Sequence, residues 1–123
     1  MINRRARGVQ AYYGGLNAEE IARRHMVEAG LEILARRLRT PYGEIDLLVA
    51  DDDWVIAVEV KSRSTLRDSA EALQPRQAAR LMAAFEYVLA TRPDWSRPNT
   101  RFDVIAVNRE GQARRIVDAL RLT

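Results

Sequence analysis

The sequence predicts an α/β domain in which a β-sheet is covered by two helices, and three patterns support this. Apolar residues recur at helical spacing in two segments, residues 18–29 and 75–91. Segments rich in Val, Ile and Leu, which favour strands, lie between and after them. The predicted order is helix, three strands, helix, two strands, and a sheet between helices is the simplest way to bury these apolar faces.

The first helix and the first strand are predicted from their boundaries as well as from their spacing. Asn17 is a suitable N-cap for the helix over residues 18–29, and Gly30 ends it. The segment Leu31–Leu38 then follows as a strand, and residues 41–43, which contain proline and glycine, predict a turn.

A hairpin and two later strands complete the predicted sheet. Glu44–Ala50 and Trp54–Lys61 are rich in strand-forming residues and are separated by three aspartates, which is typical of a hairpin. Residues 62–74 are expected to form an exposed connection to the second helix. Arg101–Val107 and Arg114–Val117 predict two short strands at the end of the chain.

Length and composition restrict the chemistry that is available. The 123 residues predict a single domain over residues 14–123, preceded by a flexible basic segment over residues 1–13. The absence of cysteine excludes disulfides, thiolate zinc sites and a cysteine nucleophile, and the single histidine, His25, excludes a His–His metal pair within one chain. An enzymatic site would therefore depend on carboxylates and on metals that prefer oxygen ligands.

The charge distribution favours a nucleic acid as partner. The net charge is +3, and residues 1–39 hold eight arginines against four glutamates, so the basicity is concentrated at that end. The alternative is a solubilising surface in an arginine-rich proteome. No apolar stretch is long enough to predict a membrane span or a targeting peptide, so we expect no membrane partner and a cytoplasmic location.

Asp46, Glu59 and Lys61 are the candidate catalytic residues. Glu59 and Lys61 lie on one face of their strand, roughly 7 Å apart, and Lys61 is the only lysine among 20 basic residues. If residues 51–54 form a four-residue loop, Asp46 is opposite Glu59, with Cβ atoms about 5 Å apart. A loop one residue shorter or longer would send Asp46 to the other face.

Two carboxylates at that distance repel each other unless a cation lies between them. Mg²⁺ is typically held by one or two carboxylates together with phosphate oxygens, so Asp46 and Glu59 are candidate metal ligands and Lys61 could orient a water. The alternative is that the acids are solvated and that Glu44 and Lys61 form an ordinary cross-strand ion pair.

Glu19 and Gln77 are polar residues on the predicted apolar stripes of the two helices. In that position both would overlook the same cleft as the strand acids. The alternative for each is a polar residue near a helix end, where Glu19 would favour the helix dipole.

The motifs resemble those of a known family. The stretches GEIDLLVA (43–50), VEVKSR (58–63) and RFDVIAV (101–107), preceded by AEEIARRHM (18–26), resemble the YraN family. This bacterial group is related to restriction-endonuclease-like nucleases and to archaeal Holliday junction resolvases. The resemblance covers residues 14–120.

The resemblance implies a fold and a metal site. The fold would be the restriction-endonuclease-like αβββαβ core, with a central mixed sheet flanked by helices. Asp46, Glu59 and Lys61 match its Asp…Glu-x-Lys signature. Glu19 matches the glutamate that the family places on its first helix, with Glu20 as the alternative.

Gln77 matches a position that the family often writes as Lys-Gln, and here Arg76 replaces the lysine. Together these matches imply catalytic roles for Asp46, Glu59, Lys61, Glu19 and Gln77, with Asp46, Glu59 and Glu19 as metal ligands.

The function expected from the residues and the resemblance is that of an endonuclease dependent on Mg²⁺ or Mn²⁺ that hydrolyses DNA phosphodiester bonds. Branched or otherwise structured DNA is a candidate substrate, and a symmetric substrate would favour a homodimer. One alternative is a non-catalytic nucleic-acid-binding protein that keeps the nuclease fold. Another is a protein-interaction subunit whose acids are structural.

Overall fold

The computed structural model describes residues 18–62 and 75–119, which form two helices, five strands and a short 3₁₀ helix. Helix α1 covers residues 18–28 of this part, and α2 covers Pro75–Thr91. The strands, in chain order, are β1 Glu32–Thr40, β2 Gly43–Ala50, β3 Trp54–Ser62, β4 Asn99–Val107 and β5 Ala113–Ile116. The 3₁₀ helix is Pro93–Trp95.

Some of the expectations lie outside the described residues. These are the flexible segment at residues 1–13, the N-cap at Asn17 and all but the first residue of the connection predicted over residues 62–74; that first residue, Ser62, belongs to β3. No helix within residues 18–62 and 75–119 is long and apolar enough to cross a membrane.

The five strands form one mixed sheet in the order β1-β2-β3-β4-β5. The β1–β2, β2–β3 and β4–β5 pairs are antiparallel, whereas β3 and β4 are parallel. Parallel neighbours need a long crossover connection, and α2 lies within the connection from β3 to β4. The predicted α/β class, with a central mixed sheet flanked by helices in αβββαβ order, is confirmed.

In the described part of the chain each face of the sheet packs against one helix, because side chains alternate along the strands and both faces carry apolar residues. One apolar layer joins α1 to the sheet through Ala22, Met26, Leu47, Val49, Ile56, Val58 and Ile105. The other joins α2 to the opposite face through Leu48, Ala50, Val55, Ala57, Leu81, Phe85 and Phe102. The predicted alternation in the hairpin is therefore confirmed in its central part.

Each strand differs from its predicted bounds by one or two residues at one or both ends, because pairing, rather than composition, sets the ends of strands. β2 begins at Gly43 instead of Glu44, β3 ends at Ser62 instead of Lys61, and β4 begins at Asn99 instead of Arg101. β1 runs to Thr40 instead of Leu38, since Thr40 pairs with Gly43 across the tight turn to β2. β5 begins and ends one residue earlier than predicted, with Ala113 pairing with Val107. The predicted turn at residues 41–43 lies within this β1–β2 connection.

A fully buried acid, Asp103, ties the far side of the sheet to the last part of the described chain. Asp103 is 0% exposed. Its carboxylate accepts hydrogen bonds from Arg101 Nε and Nη2 at 2.8 and 3.0 Å, and from Arg115 Nε at 3.0 Å. The main-chain N–H of Asp118 donates a further bond at 3.0 Å. Two cations and a main-chain donor thus compensate the burial of one carboxylate.

Replacing Asp103 with alanine is expected to destabilise the fold strongly, because it leaves two largely buried guanidinium groups without their acceptor. The free energy of unfolding, measured by urea denaturation, should fall by about 3–5 kcal/mol. Asp52→Ala, in the exposed β2–β3 turn, is the matched control and should stay within about 0.5 kcal/mol of the wild type. A loss below about 1 kcal/mol for Asp103→Ala would contradict a structural role.

Candidate functional site

The register of the β2–β3 hairpin brings Asp46 and Glu59 together. Leu47 pairs with Val58 and Ala50 with Val55, which is the register predicted for a four-residue loop. Asp46 comes one residue before Leu47, and Glu59 one residue after Val58, so the two acids are neighbours at the end of the paired region. The two carboxyl groups are close enough that the charge of Asp46 raises the pKa of Glu59.

The Asp46 carboxylate is also fixed by the main chain of β3. Its Oδ2 accepts a hydrogen bond from the N–H of Val60 at 2.8 Å. This contact joins the two strands beyond the Leu47–Val58 pair, and it limits the orientations that the carboxylate can adopt. The position of Asp46 is therefore a consequence of strand pairing rather than of a flexible side chain.

Lys61 and Gln77 complete a polar network around Glu59. The Lys61 ammonium lies 3.6 Å from Glu59 Oε1 and donates a hydrogen bond to Gln77 Oε1 at 3.1 Å. The Gln77 amide donates to Glu59 Oε1 at 3.4 Å. The side chains of Lys61 and Glu59 are only 10% and 11% exposed, so this ion pair is buried. Helix α2 thus contacts both Lys61 and Glu59 of β3 through the side-chain amide of Gln77.

The pKa values of Asp46 and Glu59 are both raised above those of ordinary carboxylic acids. Burial raises the pKa of Glu59 to about 7, and the negative charge of Asp46 adds to this, while Lys61 opposes it. Burial also raises the pKa of Asp46, against the hydrogen bond from Val60 that lowers it. The two carboxyl groups share one neighbouring ammonium, that of Lys61, and a divalent cation would supply further positive charge.

Glu19, a predicted metal ligand, forms an ion pair with Arg37. Arg37 Nε donates to Glu19 Oε2 at 2.8 Å. Arg37 lies in β1 between the Arg36–Leu47 and Leu38–Ile45 pairs, beside Asp46, and its φ of 49° is in the left-handed region that a side chain of this size rarely adopts. Burial is the main cause of the raised pKa of Asp46, and the charge of Glu19 contributes to it.

Glu20, the alternative to Glu19 on α1, forms ion pairs with arginines of the same helix. Arg23 donates to it at 2.6 Å and Arg24 at 3.4 Å, and the hydrogen bond from Arg23 is the largest cause that lowers the pKa of Glu20 to about 2. Within residues 18–62 and 75–119, no three acidic, histidine or cysteine side chains are grouped closely enough to hold a metal ion together. The oxygen donors that the structure brings together are therefore those of Asp46 and Glu59.

A cleft of about 820 Å³ opens beside Glu59, between the β1–β2 turn and α2. The cleft is lined by residues of the β1–β2 turn, of β3 and of α2, namely Tyr42, Gly43, Glu44, Glu59, Pro75, Arg76, Gln77, Arg80 and Leu81. In the sequence Arg76 was notable only as a replacement for lysine, and neither Tyr42 nor Arg80 belongs to a recognised motif. The spacing of Arg76 and Arg80, four residues apart on one helix, already places them on one face and could have indicated a basic wall.

Removing the charge of Glu59 is expected to change how stability depends on pH. Because the pKa of Glu59 is raised to about 7 from 4.5, the folded state is favoured when this group is protonated. The stability that protonated Glu59 contributes is fully present below pH 4.5, and it is lost as the pH rises through about 7. Across this window the stability of Glu59→Gln relative to the wild type should therefore rise, by up to about 3 kcal/mol, since one pKa unit corresponds to about 1.4 kcal/mol.

The measurement is urea denaturation from pH 4 to pH 8.5 in the presence of a chelator. Asp52→Asn, which removes an exposed acid of the β2–β3 turn, is the control whose difference from the wild type should not vary with pH. If the difference in free energy of unfolding between Glu59→Gln and the wild type did not change with pH, the pKa of Glu59 would not be raised in the folded protein.

Comparison with known proteins identifies the family. Residues 18–107, which include α1, the catalytic candidates and β4, match the family described as "Uncharacterised protein family UPF0102". A UPF0102 protein of Granulibacter bethesdensis is 52% identical over 116 residues, covering 94% of this chain and 73% of the relative. A UPF0102 protein of Acidiphilium cryptum is 47% identical, covering 78% of this chain and 75% of the relative.

A third relative, a UPF0102 protein of Azorhizobium caulinodans, is 42% identical over 118 residues, covering 96% of this chain and 90% of the relative. These similarities extend over most of the described fold rather than over one motif. The resemblance read from the GEID and VEVK motifs is confirmed, and the chain belongs to the UPF0102 (YraN) family.

Proposed function

We propose that this protein is a divalent-metal-dependent endonuclease that hydrolyses DNA phosphodiester bonds, with Asp46, Glu59 and Lys61 at its centre. The observation that carries the proposal is a buried carboxylate, Glu59, next to a half-buried one, Asp46, and beside the only lysine of the chain, at the side of a cleft with arginines on its wall. A structural role alone would favour acids that are fully paired with cations, as Asp103 is.

The donor set of the site fits Mg²⁺ or Mn²⁺. Both metals prefer oxygen ligands, and Mg²⁺ is commonly held by one or two protein carboxylates, with water and phosphate oxygens completing its coordination. Asp46 and Glu59 would hold it, and Glu19 could join them only after leaving Arg37. When bound, the metal polarises the phosphodiester and acidifies a water.

The residues of the chain have separate tasks in this reaction. Gln77 holds the Lys61 ammonium and the Glu59 carboxylate in fixed positions, so neither has to reorganise when substrate arrives. Lys61 has further N–H donors, which would stabilise the negative charge that develops on the phosphate oxygens. Val60 keeps Asp46 oriented through its main-chain N–H.

The cleft supplies contacts for the DNA backbone. Arg76 and Arg80 are exposed on α2 and line the same cleft as Glu59. Arginine binds phosphate oxygens through a planar, permanently charged group, so this wall would place the backbone beside the acids. Binding at this wall should be sensitive to salt, because phosphate contacts release counterions.

A second candidate function is non-catalytic nucleic-acid binding. It is favoured by the ion pair between Glu19 and Arg37, because Glu19 is then not available as a metal ligand. Within the described residues this leaves two carboxylates, those of Asp46 and Glu59, for a metal. Such a protein would use Arg76 and Arg80 in the same way, but binding would be indifferent to removal of the acids.

Cleavage of DNA is the direct test of the proposal. Purified protein with Mg²⁺ or Mn²⁺ should cut a branched or tailed DNA, and Asp46→Asn or Glu59→Gln should lower the rate by roughly 100-fold or more, because each removes a charged ligand. Asp52→Asn is the control of equal charge change and should cut at the wild-type rate. DNA binding without cleavage in every variant would favour the second candidate.

Titration of Mn²⁺ by calorimetry separates metal binding from chemistry. The wild type should give binding heats, and Asp46→Asn should give none at the same concentrations, because one of two anionic ligands is lost. Lys61→Met should still bind Mn²⁺ while cutting at least about 100-fold more slowly, since its ammonium acts on the phosphate rather than on the metal. Equal heats from the wild type and Asp46→Asn would contradict a metal site at these acids.

A further inference from the structure

The rim of the cleft carries an exposed pair of aromatic rings. Tyr42, in the β1–β2 turn, is 51% exposed, and Tyr87, on α2, is 39% exposed. The centroids of the two rings are 6.0 Å apart and their planes meet at 64°. Because the contact is edge-to-face and half of Tyr42 remains exposed, the Tyr42 side chain can still pack against a flat partner.

The turn that carries Tyr42 is fixed by hydrogen bonds. Thr40 Oγ1 accepts bonds from the N–H groups of Tyr42 and Gly43 at 3.0 and 3.1 Å, and its hydroxyl donates to Gly43 O at 2.7 Å. Gly43 has a φ of 143°, which a residue with a side chain would adopt only with strain. The aromatic ring is therefore presented from a rigid base, so little conformational entropy is lost when it binds a ligand.

The surroundings of Tyr42 define the chemistry of that ligand. Tyr42 lines the same cleft as Arg76, Arg80 and Glu59. An aromatic ring beside arginines is the combination that binds single-stranded nucleic acid, since bases stack on rings and phosphates bind guanidinium groups. In a duplex the faces of each base are covered by its neighbours, so only an unpaired base can stack on a side chain.

We propose that Tyr42 is a stacking platform for an unpaired base of a DNA strand whose phosphates bind Arg76 and Arg80. The inference rests on the proposed function, and it narrows the substrate to DNA that carries unpaired nucleotides at the cleft, such as a tail, flap or branch point. Asp46 follows Tyr42 by four residues, roughly 13 Å along the strand, so the stacked base lies within a few nucleotides of the phosphate at the acids.

The test compares two labelled DNA ligands by fluorescence anisotropy in a chelator, where no cleavage occurs. One is a duplex with a short single-stranded tail. The other has the same tail with abasic residues, which keep every phosphate and lack the bases. The wild type should bind the first ligand about 5- to 100-fold more tightly, the range that stacking of one base supplies. Equal affinity of the wild type for both ligands would overturn the inference without any mutation.

Tyr42→Ala should remove this preference, with about 5- to 100-fold weaker binding to the ligand with bases and a change below about 2-fold for the abasic one. Tyr42→Phe is the matched control, since it keeps the ring and should keep the preference. An equal loss on both ligands, or no loss on either, would show that the ring only packs the turn against α2, and would overturn the inference.

Arg80→Gln gives the complementary pattern. It should weaken binding of both ligands by the same factor and lower the slope of log affinity against log salt by about 1, because a phosphate contact does not distinguish bases. A loss restricted to the ligand with bases would contradict the assignment of Arg80 to the backbone.

The outcomes separate this inference from the proposed function. The protein could prefer the tail with bases over the abasic tail through Tyr42 and yet cut no DNA with Mg²⁺ or Mn²⁺. This result would support the stacking platform and reject the nuclease. Cleavage that depends on Asp46, found together with equal binding of both ligands, would support the nuclease and reject the platform.

Discussion

The pairing of β2 with β3 is the constraint on which the rest of the site depends. One register places Asp46 beside Glu59, and a slip of one residue would reverse the face of every side chain on β2. The apolar residues that pack against α1 and α2 on the two faces of the hairpin hold this register. Burial of aliphatic side chains that take no part in the chemistry therefore determines the distance between the two acids.

Two environments for buried carboxylates can be compared within the same sheet. Asp103 is compensated by Arg101, Arg115 and a main-chain donor, so its charge is balanced by its own chain. Glu59 has Lys61 as a neighbouring cation but also has Asp46 beside it, and its pKa is raised mainly by burial and then by that second acid. The first arrangement stabilises the fold, whereas the second places two carboxyl groups beside one ammonium, an imbalance that is costly for a fold and useful for binding a divalent cation.

The cleft joins parts of the chain that are far apart in sequence. The β1–β2 turn supplies Tyr42, the hairpin supplies Glu59, and α2 supplies Gln77, Arg76 and Arg80. Because α2 lies within the crossover from β3 to the parallel strand β4, its arginines line the cleft beside the end of the hairpin. A nucleic acid in this cleft would therefore meet the carboxylates, the cationic wall and the exposed aromatic ring together.

The sequence by itself determined the order of the elements and the presence of the hairpin, because these follow from local alternation. It placed Asp46 beside Glu59 only on the condition that the β2–β3 loop has four residues, since the register depends on the length of that loop. The tertiary structure decided what depends on contacts between distant segments. It placed Gln77 between Lys61 and Glu59, paired Glu19 with Arg37, paired Asp103 with two arginines and put Tyr42 in the same cleft as the arginines of α2. No periodicity within a segment encodes these contacts, since they arise only when helices and turns from separate parts of the chain pack on one sheet.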